Sequence, residues 1–152
     1  MNSNKQESAP NEECKGSTCR RLAKQVKAGE KEGSEAWHAE RLIRWRDANF
    51  DVYPDLRWLR ASGNDFPSTG EGCEAMKRRG LLRGEADYFL SRARHGYHGL
   101  FIELKRQGGK LKPHQQEFLV EQKKEGYKTV VRYGWEQARD RLVWYLSGPY
   151  CA

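Results

Sequence analysis

Gly84 to Gln116 reads GEADYFLSRARHGYHGLFIELKRQGGKLKPHQQ. Within it, Leu100-Phe101-Ile102-Glu103-Leu104-Lys105 has the length and bulk of a strand, bounded by Gly99 and by Gly108-Gly109. Side chains alternate across a strand, so Leu100, Ile102 and Leu104 share one face and Phe101, Glu103 and Lys105 the other. A carboxylate and an ammonium thus sit two residues apart on one side, opposite a wholly apolar side. Upstream, Glu85 to Leu90 reads as a second short strand. The intervening residues include Gly96 and Gly99, which predicts an antiparallel hairpin with a loose loop and brings Asp87 beside Glu103.

Two carboxylates at one point repel unless one is protonated or a cation lies between them. An all-oxygen ligand set favours a hard ion, Mg²⁺ or Mn²⁺. Taken alone, Glu-x-Lys is also the ordinary polar face of a half-exposed strand. The partner carboxylate at hairpin distance and the amide-rich helix start downstream are what favour a site. Pro113 fits the first position of that helix and Gly126 its end, so Gln115 and Gln116 lie in its first turn, where backbone amides attract anions.

These residues resemble the VRR-NUC family, a branch of the PD-(D/E)XK nuclease superfamily, in its phage and bacterial stand-alone type. The family's core runs G-x-P-D, then (I/V)-E-x-K, then G-x-L-x-x-x-Q. It is matched here by Gly84 to Asp87, Ile102 to Lys105 and Gly109 to Gln115. The order and spacing match from about Ser34 to Leu146. One departure is Ala86, where the family has proline; it removes no ligand. The resemblance implies an α/β fold with a mixed sheet flanked by helices on both faces. It also implies metal-dependent hydrolysis of DNA phosphodiester bonds. Asp87, Glu103 and the main-chain carbonyl of Leu104 would hold Mg²⁺ or Mn²⁺, with Lys105, Gln115 and a glutamate of the first helix completing the catalytic set. Glu35 is the best match for that glutamate and Glu40 its competitor, because one sequence does not fix the helix rotation. An acid in a first helical turn is also a plain dipole partner.

The chain has 152 residues, enough for one domain with a core. Lys plus Arg number 28 against 21 acids, a net charge of +7, which suggests a polyanionic partner. No run of 18 apolar residues and no signal-peptide core is present, so a membrane protein is not expected. Cys14, Cys19, Cys73 and Cys151 are scattered without zinc spacing and read as reduced thiols, consistent with a cytoplasmic protein of a bacterial cell or phage-infected host.

Residues 1–33 are polar and end in Arg20, Arg21, Lys24 and Lys27, and read as a flexible basic tail before a nuclease-like domain over 34–152. Ser34 caps a helix through Asn49 with Trp37, Leu42, Ile43 and Trp45 as its packing stripe. Leu56 to Ala61 is expected as a strand. Gly72 to Gly80 is expected as a short helix closed by Gly80 and carrying Lys77, Arg78 and Arg79. Tyr127 to Tyr133 is expected as a strand, Trp135 to Arg141 as a helix, and Leu142 to Leu146 as a closing strand or extended tail. Basic residues in 77–83 and 105–112 would track a phosphate backbone. No base-reading module is evident, so DNA shape rather than sequence is the expected target. Stand-alone members of the family are similar to Holliday junction resolvases, which implies a homodimer acting on branched DNA. Two other readings stay open: a non-catalytic nucleic-acid-binding module, and a structural subunit of a larger assembly.

Overall fold

The computed structural model describes residues 31–62, 74–75 and 78–150. The basic tail expected over 1–33 lies outside them except for its last three residues, as do all four cysteines and Lys77.

Helix α1 (Glu35–Asp47) opens on Ser34, whose Oγ accepts the Trp37 N–H at 3.1 Å. Serine in this role satisfies one of the four donors a helix start leaves unpaired. The helix stops two residues before the expected end, and Asn49 turns its side chain back to donate to the Trp45 carbonyl at 2.7 Å. Its buried residues are His38 and Leu42, with Ile43 and Trp45 packed partly against the same core.

The strand expected over 56–61 is shorter than the sequence suggested. Pro54–Trp58 is a 3₁₀ helix, and β1 is Leu59–Ala61 alone. Pro54 explains the difference: its fixed φ suits a first helical turn, and the Leu56 N–H closes that turn on the Tyr53 carbonyl at 3.0 Å. Strand β2 is Tyr88–Leu90 and β3 is Leu100–Lys105. The connection between them contains a tight two-residue turn at its tip. His95 and Gly96 both have positive φ, and Arg94 and Tyr97 exchange backbone bonds at 3.1 and 2.9 Å across it.

Helix α2 (Pro113–Lys124) follows β3, and Gly126, at φ 84°, lets the chain reverse into β4 (Lys128–Tyr133). The last element is α3 (Trp135–Leu146). Leu142 to Leu146 is therefore the second half of a helix, not a strand or tail. Ala138, Leu142 and Tyr145 are all fully buried at helical spacing, and nothing between them breaks the helix.

The sheet has the order β1-β2-β3-β4; its first two pairings are antiparallel and its last is parallel. This is the mixed sheet expected. Residues Leu100, Ile102 and Leu104 of β3 pack with Leu42 of α1 and with Ala138, Leu142 and Tyr145 of α3. On the other face Phe101 packs with Leu119 and Phe118 of α2 and stacks on Phe89, its direct partner in β2, at 4.4 Å. All six residues of β3 are buried, because helices cover both faces and strands flank both edges. Each such aliphatic side chain contributes about 1.5–3 kcal/mol. The charged pair expected on the polar face of β3 is therefore enclosed, not solvated.

Candidate active site

The β2–β3 register pairs Phe89 with Phe101 and Tyr88 with Ile102; continued by one residue, it sets Asp87 opposite Glu103. Asp87 stands just ahead of β2. Its carbonyl accepts the Ser62 N–H at 2.9 Å, and its Oδ2 accepts the Leu104 N–H at 2.7 Å. The N–H and C=O of one strand residue point to the same side, so the Leu104 carbonyl also faces the Asp87 edge.

Glu103 is fully buried. Its Oε1 lies 2.5 Å from Lys105 Nζ and accepts a hydrogen bond from Gln115 Nε2. Its Oε2 is buried with no partner among the described residues. Burial, and then the charge of Asp87, push the Glu103 carboxyl up to about 7; the hydrogen bond and charge of Lys105 pull it back only in part. Burial alone would lower the Lys105 pKa. The hydrogen bond to Glu103, together with the charges of Glu103, Asp87 and Glu35, outweighs it and raises that pKa.

Gln115 joins the start of α2 to this cluster. Its Oε1 accepts the Lys112 N–H at 3.0 Å, as the third residue of a capping box does, while its Nε2 goes to Glu103. Gly84 lets α2 come this close. It has φ +91°, and a Cβ there would lie 2.7 Å from the His114 carbonyl oxygen. Gln116 is exposed.

The packing of α1 separates its two glutamates. Glu35 Oε1 is 3.7 Å from Lys105 Nζ, whereas Glu40 pairs with Arg44 at 2.5 Å on the outer surface. Glu35, Ala36, Ala39, Ala61, Ser62, Asp87, Tyr88 and Leu104 line a cleft of about 320 Å³. Asp87, Glu103, Lys105, Gln115 and Glu35 thus lie close together, and of these Asp87 and Glu35 line the cleft.

Two contributors carried no clear sequence signal. His38 is buried, and its Nδ1 accepts the Trp135 N–H at 3.3 Å; Gly134, one residue earlier, donates to the Lys105 carbonyl at 2.8 Å. His38 thereby ties α1 to the end of the β3 strand. Ser62 grips the Asp87 segment through its N–H and through its Oγ, which donates to the Ala86 carbonyl. Ala86 itself is fully buried in the cluster with Leu119 and Phe101.

Arg78, Arg79, Arg83, Arg106, Lys110 and Lys112 are exposed. Burial and the charges of Arg83 and Lys112 lower the His114 pKa, so the two basic segments converge beside the start of α2.

The donors fit a hard cation. They are carboxylate and carbonyl oxygens, and Glu103 Oε2 is a buried anionic oxygen lacking a partner. Among the described residues no group of three or more His, Cys, Asp or Glu is gathered to hold a metal.

A mixed sheet that sets an aspartate opposite an E-x-K strand, with helices on both faces, defines the PD-(D/E)XK-like class of α/β fold. Among solved structures the chain is similar to one described as a VRR_NUC domain protein. The identity is 27% and the TM-score 0.62, over 74% of this chain and 88% of that one. Fold, motif order and this likeness together support membership of the VRR-NUC family, a family of nuclease domains. No protein-family model and no curated protein matches the chain. No helix among the described residues is long and apolar enough to cross a membrane.

Proposed function

We propose that the chain is a Mg²⁺- or Mn²⁺-dependent endonuclease that hydrolyses DNA phosphodiester bonds. The observation that carries this reading is Glu103: a fully buried carboxylate, opposite Asp87, with Lys105 on one oxygen and no partner on the other. An arrangement this unfavourable for a resting core fits a cation site.

Asp87, Glu103 and the Leu104 carbonyl would hold the ion. Bound there, it supplies a water of lowered pKa and positive charge for the phosphate. Lys105 favours the ionised form of Glu103 and offers its remaining N–H donors to a phosphoryl oxygen or the attacking water. Gln115 helps fix the rotamer of Glu103 by donating to the same oxygen. Glu35, half exposed at the cleft, orients a water and adds negative charge beside Lys105. Arg78, Arg79, Arg83, Arg106, Lys110 and Lys112 would follow the sugar-phosphate backbone.

The finer reading, which rests on the resemblance of the sequence motifs to stand-alone members of the family, is a homodimer that acts on branched DNA. The test is cleavage of fork, flap, four-way junction and linear DNA with Mg²⁺, Mn²⁺ or EDTA. Metal-dependent cutting with a branched preference is expected. Cutting of no substrate under either metal removes the nuclease reading. A monomer by light scattering with equal activity on linear duplex removes the finer one.

A further inference from the structure

The β4 edge of the sheet carries, with α3, a second basic feature that the proposed chemistry does not use. Arg132 of β4 and Arg141 of α3 line a cleft of about 370 Å³ together with Gln137, Asp140 and Trp144. Its size lies within the range of ligand-binding clefts. Arg132 is half-buried and, among the described residues, makes one side-chain hydrogen bond, to the neighbouring Val131 carbonyl at 2.7 Å. The nearby carboxylate, Asp140, pairs with Arg139 at 2.7 Å. Among the described residues neither Arg132 nor Arg141 is in a salt bridge. Burial and the charge of Arg141 lower the Arg132 pKa, so the two guanidinium groups repel in a partly dry place. Such a pair is stabilised by an anion.

The cleft is also braced. Trp144 lies face to face with His95 at 4.2 Å and carries the Arg141 guanidinium 4.6 Å from its ring centre. Lys128 adds a third cation, 4.9 Å from the Tyr97 ring and 5.8 Å from that of Trp144. In the β3–β4 register Arg132 pairs with Leu104, one strand from the candidate metal carbonyl and about 4.8 Å away in the backbone.

We propose that Arg132 and Arg141 form a phosphate-binding cleft that holds the backbone of a nucleic-acid strand running off the candidate catalytic cleft. The inference rests on the nuclease reading for the identity of the strand. Arginine supplies the planar fork that phosphate oxygens accept, and Trp144 holds that fork in place.

The test is fluorescence anisotropy of labelled DNA in EDTA, over a range of salt, with wild type, Arg141→Gln and Arg44→Gln. Arg44 is an exposed arginine of α1 and controls for the loss of one charge. Arg141→Gln should weaken binding about tenfold and flatten the log–log salt dependence by about one ion, with Arg44→Gln close to wild type. Cleavage of a small phosphodiester, bis(4-nitrophenyl) phosphate, with Mn²⁺ should be unchanged by Arg141→Gln. Arg132→Gln should repeat the binding loss. Equal affinities and slopes for wild type and Arg141→Gln overturn the inference, as does an equal loss in Arg44→Gln. Either result leaves the nuclease reading standing if wild type still cuts. No cutting of DNA or of the small diester by wild type points instead to failure of that reading. Binding of polyglutamate with the same Arg141 dependence also overturns the inference, since the cleft would then answer to acidic protein.

Discussion

Gln115 and Lys105 converge on the same oxygen of Glu103, one from the first turn of α2 and the other from two residues along β3. The second oxygen of that carboxylate has no partner among the described residues. One oxygen of Glu103 is therefore built into the fold, and the other is buried without a hydrogen-bond partner among the described residues.

Lys105→Ala should reduce metal-dependent cleavage by roughly a hundredfold or more, as loss of a transition-state donor does. DNA affinity measured in EDTA should change little. Cleavage that persists at wild-type rate would place Lys105 in a structural ion pair and favour a non-catalytic binding module.

Gln115→Ala removes a bond to Glu103 and the acceptor of the Lys112 N–H, and should lower stability by about 1–2 kcal/mol. Gln115→Glu keeps the cap but sets a carboxylate against a buried one, so its activity should fall further than that of the alanine variant at pH 8. Urea titration alongside initial rates separates the two effects. A glutamate variant as active as wild type argues against the contact.

Glu103 should make the metal-free protein less stable as pH rises. Its carboxyl is near 7 in the fold against an ordinary 4.5, so the folded state holds the proton more tightly. That contribution is fully present below pH 4.5 and is lost as pH rises through about 7. It amounts to about 3 kcal/mol across the window. Urea melts in EDTA should show a fall from about pH 5 to pH 8 that Glu103→Gln abolishes and saturating Mg²⁺ offsets. A flat profile for wild type in EDTA contradicts the assignment.

Glu35→Gln should lower cleavage by roughly tenfold, in line with residues that act on a metal site through water. Glu40→Gln loses an exposed pair worth under about 1 kcal/mol and should leave rates unchanged. The opposite ranking in a steady-state assay would mean that α1 is rotated relative to this structure.

Gly84→Ala should disturb the site from outside it. The new Cβ would meet the His114 backbone at 2.7 Å in a backbone conformation that side chains rarely adopt. A loss of about 1–3 kcal/mol is expected, with a parallel loss of activity as Gln115 moves. Thermal melts and rates that both match wild type would show that the start of α2 can yield.

The spacing of the candidate site residues was legible in the chain itself. Alternation along Leu100 to Lys105, punctuation by Gly108-Gly109 and Pro113, and the Asp87 to Glu103 interval are local patterns. Local patterns survive without knowledge of neighbours, and the strand β3 and the start of α2 follow from them; the mixed sheet came from the family resemblance. Leu142 to Leu146 was misread because a short apolar run suits a strand or a helix equally; packing of Tyr145 and Leu142 under the sheet decides for helix. Pro54 turned the start of an expected strand into a 3₁₀ turn.

Only the tertiary structure chose between Glu35 and Glu40, because the rotation of α1 is set by what Leu42 and His38 bury against. It alone showed Glu103 and Lys105 to be enclosed, since a helix from later in the chain covers their face of the sheet. It also brought Arg132 and Arg141 together from separate elements. Residue identity fixes what a side chain can do; burial and neighbours, supplied by distant parts of the chain, fix what its charge costs there.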